Sequence, residues 1–319
     1  MFQKDKEMLE KLSPKIGEKT FSLPFPTLSP LARMRRRMMF RNERGLYRNV
    51  SFVSKKPLIS VYHPTSPYRT VSMKEFYELD MKDYAGEYDM SKPFEQQRHE
   101  RQYRVPRVAR VVIDNENGDY DNFSGYNKNT YLNMDIMNCE NVMYSTTIKN
   151  VKNGYDLLQT HDSELVYECV ASSHLTLCSW VRYSTHCYNC SFIFACRNCT
   201  DCFFCWHLHD KQGYIFNKPA SKEQIAKMKE DMKSYQKLQK FLQMFMDEVF
   251  NKAPRADRRE IGCEQSFGWS VYDSREAFWC YDSYSVENNR YCMVAEHNQD
   301  SMDTTIFNPH SSLNYECIS

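Results

Sequence analysis

Residues 138–217, cut into blocks of twelve, read NCENVMYSTTIK, NVKNGYDLLQTH, DSELVYECVASS, HLTLCSWVRYST, HCYNCSFIFACR, NCTDCFFCWHLH and DKQGYIFN. The blocks open on Asn138, Asn150, Asp162, His174, His186, Asn198 and Asp210, each a small polar turn-former or a histidine. Four residues on stand Val142, Gly154, Val166, Cys178, Cys190, Cys202 and Tyr214. Seven on stand Ser145, Leu157, Cys169, Val181, Ile193 and Cys205. Six on, the later blocks carry Trp180, Phe192, Phe204 and Phe216. A fixed period with small apolar columns and polar corners is the pattern of a β-solenoid, in which each block supplies one short strand and one turn. The fold expected is mostly β: a parallel β-solenoid of twelve-residue repeats with an inserted long α-helix and a small basic N-terminal head.

A coil of twelve residues encloses little space. If Ile193 and the Trp and Phe of the third column all face inward, they need more room. Two repeats per 24-residue coil, forming two facing sheets, is therefore favoured over a single block per coil. The corner residues should cap turns through their side chains, and Asn198 should tolerate replacement by Asp.

The repeat organises the rest of the chain. Residues 1–30 carry Pro14, Pro24, Pro26 and Pro30 and are expected to form an extended arm, with a short helix at KDKEMLEKL. Residues 31–110 form a basic head and lead-in, 111–217 the first solenoid segment, and 218–256 the inserted helix. The helix is marked by Ser221 and Gln224 in capping-box spacing. Apolar residues then recur at helical spacing from Ile225 to Val249. Residues 257–319 resume the repeat, with Cys280, Cys292 and Thr304 twelve apart. The segment 84–103 is expected to be extended, and Val105-Pro106 argues against helix there.

Charge is unevenly spread. Residues 1–110 hold 23 Lys and Arg against 13 Asp and Glu, a net +10, so the remainder carries −9 within a total of +1. The most basic stretch, RMRRRMMFRNERGLYR at 33–48, contains Arg33, Arg35, Arg36, Arg37, Arg41, Arg44 and Arg48. Arginine forks suit phosphates and carboxylates. These residues are candidate contacts to nucleic acid or an acidic partner, or else to the protein's own acidic body. Met244, Met246 and Phe250 near the end of the inserted helix are candidate partner contacts, since Met accommodates varied surfaces.

The segment FRNERGLYRNVSFVSKKPLISVYHPTSPY (40–68) resembles an uncharacterised family with a zinc-ribbon head ahead of a Cys-rich repeat body. The resemblance continues through DYAGEYDMSKPFEQQ, NENGDYDNFSGYNKNTYL and CRNCTDCFFCWHLHDKQGYIFNK. It implies CxxC pairs at Ser29/Ala32 and Ser51/Ser54. All four positions are substituted in this chain, and Ser and Ala supply no thiolate for a structural zinc. No metal and no cofactor are expected.

Eight of the 13 Cys fall between Cys169 and Cys205. The N-terminus lacks the apolar core of a secretory signal, and no run reaches the length of a membrane helix. The thiols are therefore expected to be reduced and buried as small hydrophobes, in a cytoplasmic protein or an intracellularly assembled particle. The CxxC spacings follow from the repeat. No Gly-rich phosphate loop, nucleophile elbow or HExxH is present. The chain is expected to be a non-enzymatic structural or interaction protein. It would dock with other protein subunits of a larger assembly, such as a virion or other particle, through its arm, basic head and Met-rich helix. The alternative is a nucleic-acid-binding module gripping RNA or DNA through the Arg-rich head. No membrane insertion is expected.

Overall fold

The structure, a computed structural model, describes residues 3–38, 44–256, 260–264, 267–269, 271–272, 275, 278–281, 287–288, 290–292, 299–304 and 312–317. The chain is mostly β and divides into two compact units, Glu43–Ala253 and Met1–Asn42 with Pro254–Ser319. Among the described residues no helix is long and apolar enough to cross a membrane.

In the larger unit a twelve-stranded sheet runs from Val112–Ile113 to Lys218–Pro219. Its parallel rungs pair at one offset. Met134 lies against Thr146, Val142 against Gly154, Val166 against Cys178, and Val181 against Ile193. Each ladder partner is twelve residues away, so the repeat closes in a single block. The expectation of 24 residues per coil is corrected. The expectation of an all-parallel sheet is corrected too, because the last pair, Gln212–Ile215 with Lys218–Pro219, is antiparallel. Phe216 and Asn217 both take positive φ, 50° and 59°, the backbone of a tight two-residue hairpin. Pro219 then lacks the N–H that would carry the ladder onward.

Within the twelve lies a period of three. From Asp135 through Asp210, every third residue is left-handed, with φ between 49° and 59°. Asn and Asp accept this conformation readily, whereas Leu, Trp and Phe do so at a cost. The residue after each bend points into the interior. Cys139, Val142, Ser145, Ile148, Val151 and Gly154 are buried in succession, and so on to Cys205. Leu157 and Val151 already crowd Gly154, where an added Cβ would meet them at 2.7 and 2.9 Å. The interior takes one side chain per bend and none larger than Leu, Ile or Asn between Asp121 and Cys205. Trp180, Phe192 and Phe204 are themselves bend residues and lie outside it. That removes the reason for a wider coil.

A second rule selects the interior residues. At several rungs the N–H of an inward residue donates to the inward side chain twelve residues earlier. Cys139 N–H meets Asn127 Oδ1 at 2.8 Å and Ser145 N–H meets Asn133 Oδ1 at 2.8 Å. Leu157 N–H meets Ser145 Oγ at 3.1 Å, Cys196 N–H meets Ser184 Oγ at 3.0 Å, and Cys202 N–H meets Cys190 Sγ at 3.4 Å. The thiols also donate, each to the carbonyl two residues back, as Cys190 does to Tyr188 O at 3.3 Å. Cysteine suits these positions because it is small, apolar and able to bond in both directions. The described cysteines form no disulfide. Burial pushes the Cys139 thiol up to about 11 and raises Cys169 as well.

The inserted segment forms α5 (Lys222–Asp231) and α6 (Tyr235–Met244), and a π-helical turn, Phe245–Phe250, follows. These come after α3 (Met73–Glu78) and α4 (Phe94–Gln102) of the lead-in. Residues 94–102 are therefore helical rather than extended as expected, though α4 does stop before Val105-Pro106. The Ser221–Gln224 capping box is present. The apolar stripe of α5 and α6 lies on the sheet's own flank, where Ile225, Phe245 and Val249 pack with Phe192 and Phe204.

In the smaller unit, α1 (Gln3–Leu12) is the short helix expected at KDKEMLEKL, and α2 (Pro30–Met38) begins at the last residue of the expected arm. Met8, Leu9 and Leu12 are buried with Tyr291 and Met302, and Asp5 accepts from Arg290 Nε and Tyr291 Oη, each at 3.0 Å. The apolar face of α1 thus has a place within its own unit. The parallel pairs here are less regular. Phe267 pairs with Phe278, Gly268 with Cys280, and Ser301 with Asn314, offsets that range from eleven to thirteen.

The interior rule separates two substitutions at one site. Ser184→Cys should fold and melt close to the parent, because a thiol still accepts from Cys196 N–H. Ser184→Val fills the same space but leaves that buried N–H without its partner and should cost about 1–3 kcal/mol in denaturant unfolding. Equal stability of the two variants would remove the acceptor argument. The buried thiols give a second check: native protein should react slowly with a thiol reagent, and denaturation without reductant should release nearly the full 13. Disulfides would instead appear as thiols missing after denaturation.

Candidate functional site

The basic stretch is divided by the structure. Arg33 and Arg37 lie one helical turn apart on α2 and are buried. Arg33 Nε donates to Asp303 Oδ2, and Arg36 pairs with Glu316. Desolvation lowers the Arg37 pKa, opposed by the nearby charges of Asp303 and Glu316. These three arginines serve the acidic groups of their own unit. Arg35, Arg44 and Arg48 are exposed. Arg41 lies outside the described residues.

The candidate contacts at the end of the inserted segment separate as well. Met244 is half-buried against the aromatic flank, and Phe250 packs edge-on to Phe194 at 5.8 Å. Met246 is exposed. The corner histidines His174 and His186 stack at 4.6 Å with rings 8° from parallel, and His174 Nε2 lies 3.8 Å from Asp162 Oδ2. Burial lowers the His186 pKa, with the charge of His174 adding to it. Among the described residues no group of three or more His, Cys, Asp or Glu is placed to hold a metal ion. Asn198, expected to tolerate Asp, donates through Nδ2 to Asp210 Oδ1 at 2.9 Å. A carboxylate there would face another, so that expectation is withdrawn.

At the positions where the resemblance implies a second CxxC pair, serine hydroxyls hold a carboxylate. Ser51 Oγ donates to Glu75 at 2.9 Å, and Ser72 donates through N–H and Oγ, each at 2.8 Å. Hydrogen bonds from Ser54, and then from Ser72 and Ser51, bring the Glu75 carboxyl down to about 2.

The feature that residue motifs missed is one side of the twelve-residue ladder. Its outward positions are, in order, Tyr131, Met143, Tyr155, Tyr167, Ser179, Ser191, Phe203 and Ile215. The two serines, 2.8 Å apart through their Oγ atoms, make a step between large side chains. A groove of about 480 Å³ opens over that step. Its walls include Tyr155, Leu165, Tyr167 and Leu177, which are 39–47% exposed, with Phe203 and Met232 at the far end. Lys229 of α5 also lines it and is held by Asp201 Oδ1 at 2.6 Å.

The neighbouring corner column explains why the groove stops at α5. Trp180, Phe192, Phe204 and Phe216 stack at 4.9, 4.7 and 4.9 Å with rings within 12° of parallel. Phe241 and Phe245 cover the stack. Earlier in the same column stand Tyr144, Asp156 and Glu168, which the helices do not cover. Burial raises the Asp156 pKa and the charge of Glu168 adds to it. Glu168 itself meets Arg182 at 3.0 Å. The signal in the sequence was Leu165 and Leu177, large apolar residues at bend positions that carry Asn at 141, 153 and 189.

No family model matches the chain, and no curated protein matches it. Among solved structures, one chain from Desulfovibrio desulfuricans G20, whose acetyltransferase assignment is itself only proposed, aligns at 10% identity and a TM-score of 0.15. The alignment covers 60% of this chain and 55% of that one.

Glu75 sets a pH window. Its folded pKa, about 2, lies below the ordinary glutamate value of roughly 4.3. The stability it adds is complete above the ordinary value and is lost as pH falls from there through about 2. Glu75→Gln should therefore lower stability at neutral pH and flatten the acid limb within that window. Parallel acid limbs for parent and variant would show that the serine cage holds no charge.

Proposed function

We propose that this chain is a non-enzymatic interaction protein whose larger unit is a rigid β-solenoid of one twelve-residue coil per rung. In this reading it docks into a larger assembly, such as a virion or other particle, through the side of the solenoid that α5 and α6 leave open. The observation that carries the reading is the contrast along one face. The chain covers Trp180, Phe192 and Phe204 with its own amphipathic helices. It leaves Tyr155, Leu165, Tyr167 and Leu177 exposed beside them. A contiguous exposed apolar patch of this kind marks a contact surface more often than a solvated one. The pairing of Arg33 with Asp303 and of Arg36 with Glu316, and the burial of Arg37 near the same carboxylates, weaken the nucleic-acid alternative. A zinc-ribbon ancestry for the head fits a scaffold whose ligand thiols have given way to the Ser51–Glu75 contact.

Replacing Leu177 with a photo-crosslinking phenylalanine analogue, in the native source, tests this. Lys149 points outward on a different side of the ladder and serves as the control position. A discrete adduct with another subunit at 177 and none at 149 is the expected outcome. Absence of any adduct at 177 would remove the docking role of this face.

A further inference from the structure

We infer that the groove beside α5 receives an amphipathic helix of another protein, with an apolar stripe flanked by lysine or arginine. The inference rests on the docking reading above and names the chemistry of its partner. Three features of the surface select a helix. Interior strands of the ladder spend their backbone N–H and C=O groups on neighbouring rungs, so this face offers side chains and no free edge to a strand. The Ser179–Ser191 step gives depth for large side chains between Tyr167 and Phe203. Next to it, the same solenoid already accepts amphipathic helices, with Phe241 and Phe245 seated on the stacked rings of Phe192 and Phe204. A second helix laid beyond α5 would continue that packing toward the earlier rungs.

Charge selects the flank. Asp156 and Glu168 occupy the corner positions that follow Tyr155 and Tyr167, two residues of the groove wall, while Lys229 in the groove is already held by Asp201. Burial raises the Asp156 pKa, and the charge of Glu168 adds to it. Arg182 meets Glu168 from the covered side. A cation arriving over Asp156 would relieve that repulsion, and an anion would add to it. A second copy of this chain is a poor donor of such a helix, because α5 and α6 already spend their apolar stripes on their own flank.

The test uses the full chain and two fluorescently labelled, terminally blocked model helices with the same leucine stripe, one flanked by lysine and one by glutamate. Anisotropy titration should show the lysine helix binding about tenfold or more tightly, a difference of about 1.4 kcal/mol. Leu177→Asp should abolish binding. Leu177 has φ 56°, a conformation that Asp accepts, so the variant should keep the parent melting temperature. Asp156→Asn with Glu168→Gln should bring the two helices to equal affinity without loss of the glutamate helix. Equal binding of both helices to the parent would overturn the proposal. So would lysine-helix binding that survives Leu177→Asp, or a dimer in light scattering that Leu177→Asp dissolves. If the model helix fails to bind while the crosslinker at 177 still captures a discrete subunit, the partner chemistry is wrong and the docking face is right. If both fail, the face has no docking role.

Discussion

A left-handed backbone at every third residue is the constraint from which the larger unit follows. Four such bends fall in each repeat of twelve, and every one sets the next side chain inward. For an L-residue this conformation costs roughly 1–2 kcal/mol where nothing local favours it. The ladder must offset that cost at Leu165, Leu177, Trp180 and Phe192 as well as at the easier Asn and Asp positions. It can do so because each rung is bonded on both sides to rungs twelve residues away, and because identical columns stack, as the Asn129, Asn141 and Asn153 amides do at 3.1 and 3.0 Å. A bend is affordable only inside the array, so the array should form and fail as neighbouring rungs together.

The narrow interior then dictates composition. One inward side chain per bend leaves no room for aromatics between Asp121 and Cys205, and the inward N–H asks for an acceptor one repeat earlier. Asn meets the demand in the first rungs, Ser in the middle and Cys near the end. The thiol density of residues 187–205 is thus a packing and hydrogen-bonding solution. Bulky residues excluded from the interior collect at the bends and outward positions, where they need a cover. The helices α5 and α6 supply it over the later rungs, and the earlier rungs keep the open face.

The twelve-residue offset was legible in the sequence because polar corners recur visibly, and Val142 and Ile193 were placed inward for the same reason. The nested period of three was also written there, plainest in Cys196, Cys199, Cys202 and Cys205, but CxxC spacing reads first as chemistry. Hydropathy hides it elsewhere, since inward residues range from Asn133 to Ile148 while outward ones include Tyr155. The aromatic column misled for a related reason: apolar character was taken as inward direction. The capping box at Ser221 needed only local spacing to be seen. The burial of Arg33 and Arg37 needed Asp303, some 270 residues away in sequence, and no local pattern reports such a partner.

The contrast between the two halves of the face bears on how such a surface persists. An uncovered Leu at a left-handed bend is disfavoured twice, once by backbone conformation and once by exposure, while Asn at the same position would be favoured on both counts. Asn153 and Asn189 occupy that column immediately before Leu165 and after Leu177, so the fold accepts the cheaper residue there. Leucine at those two rungs is the costlier choice for the backbone. On the docking reading proposed above, a contact made by the leucine side chains would offset that cost beside the Ser179–Ser191 step.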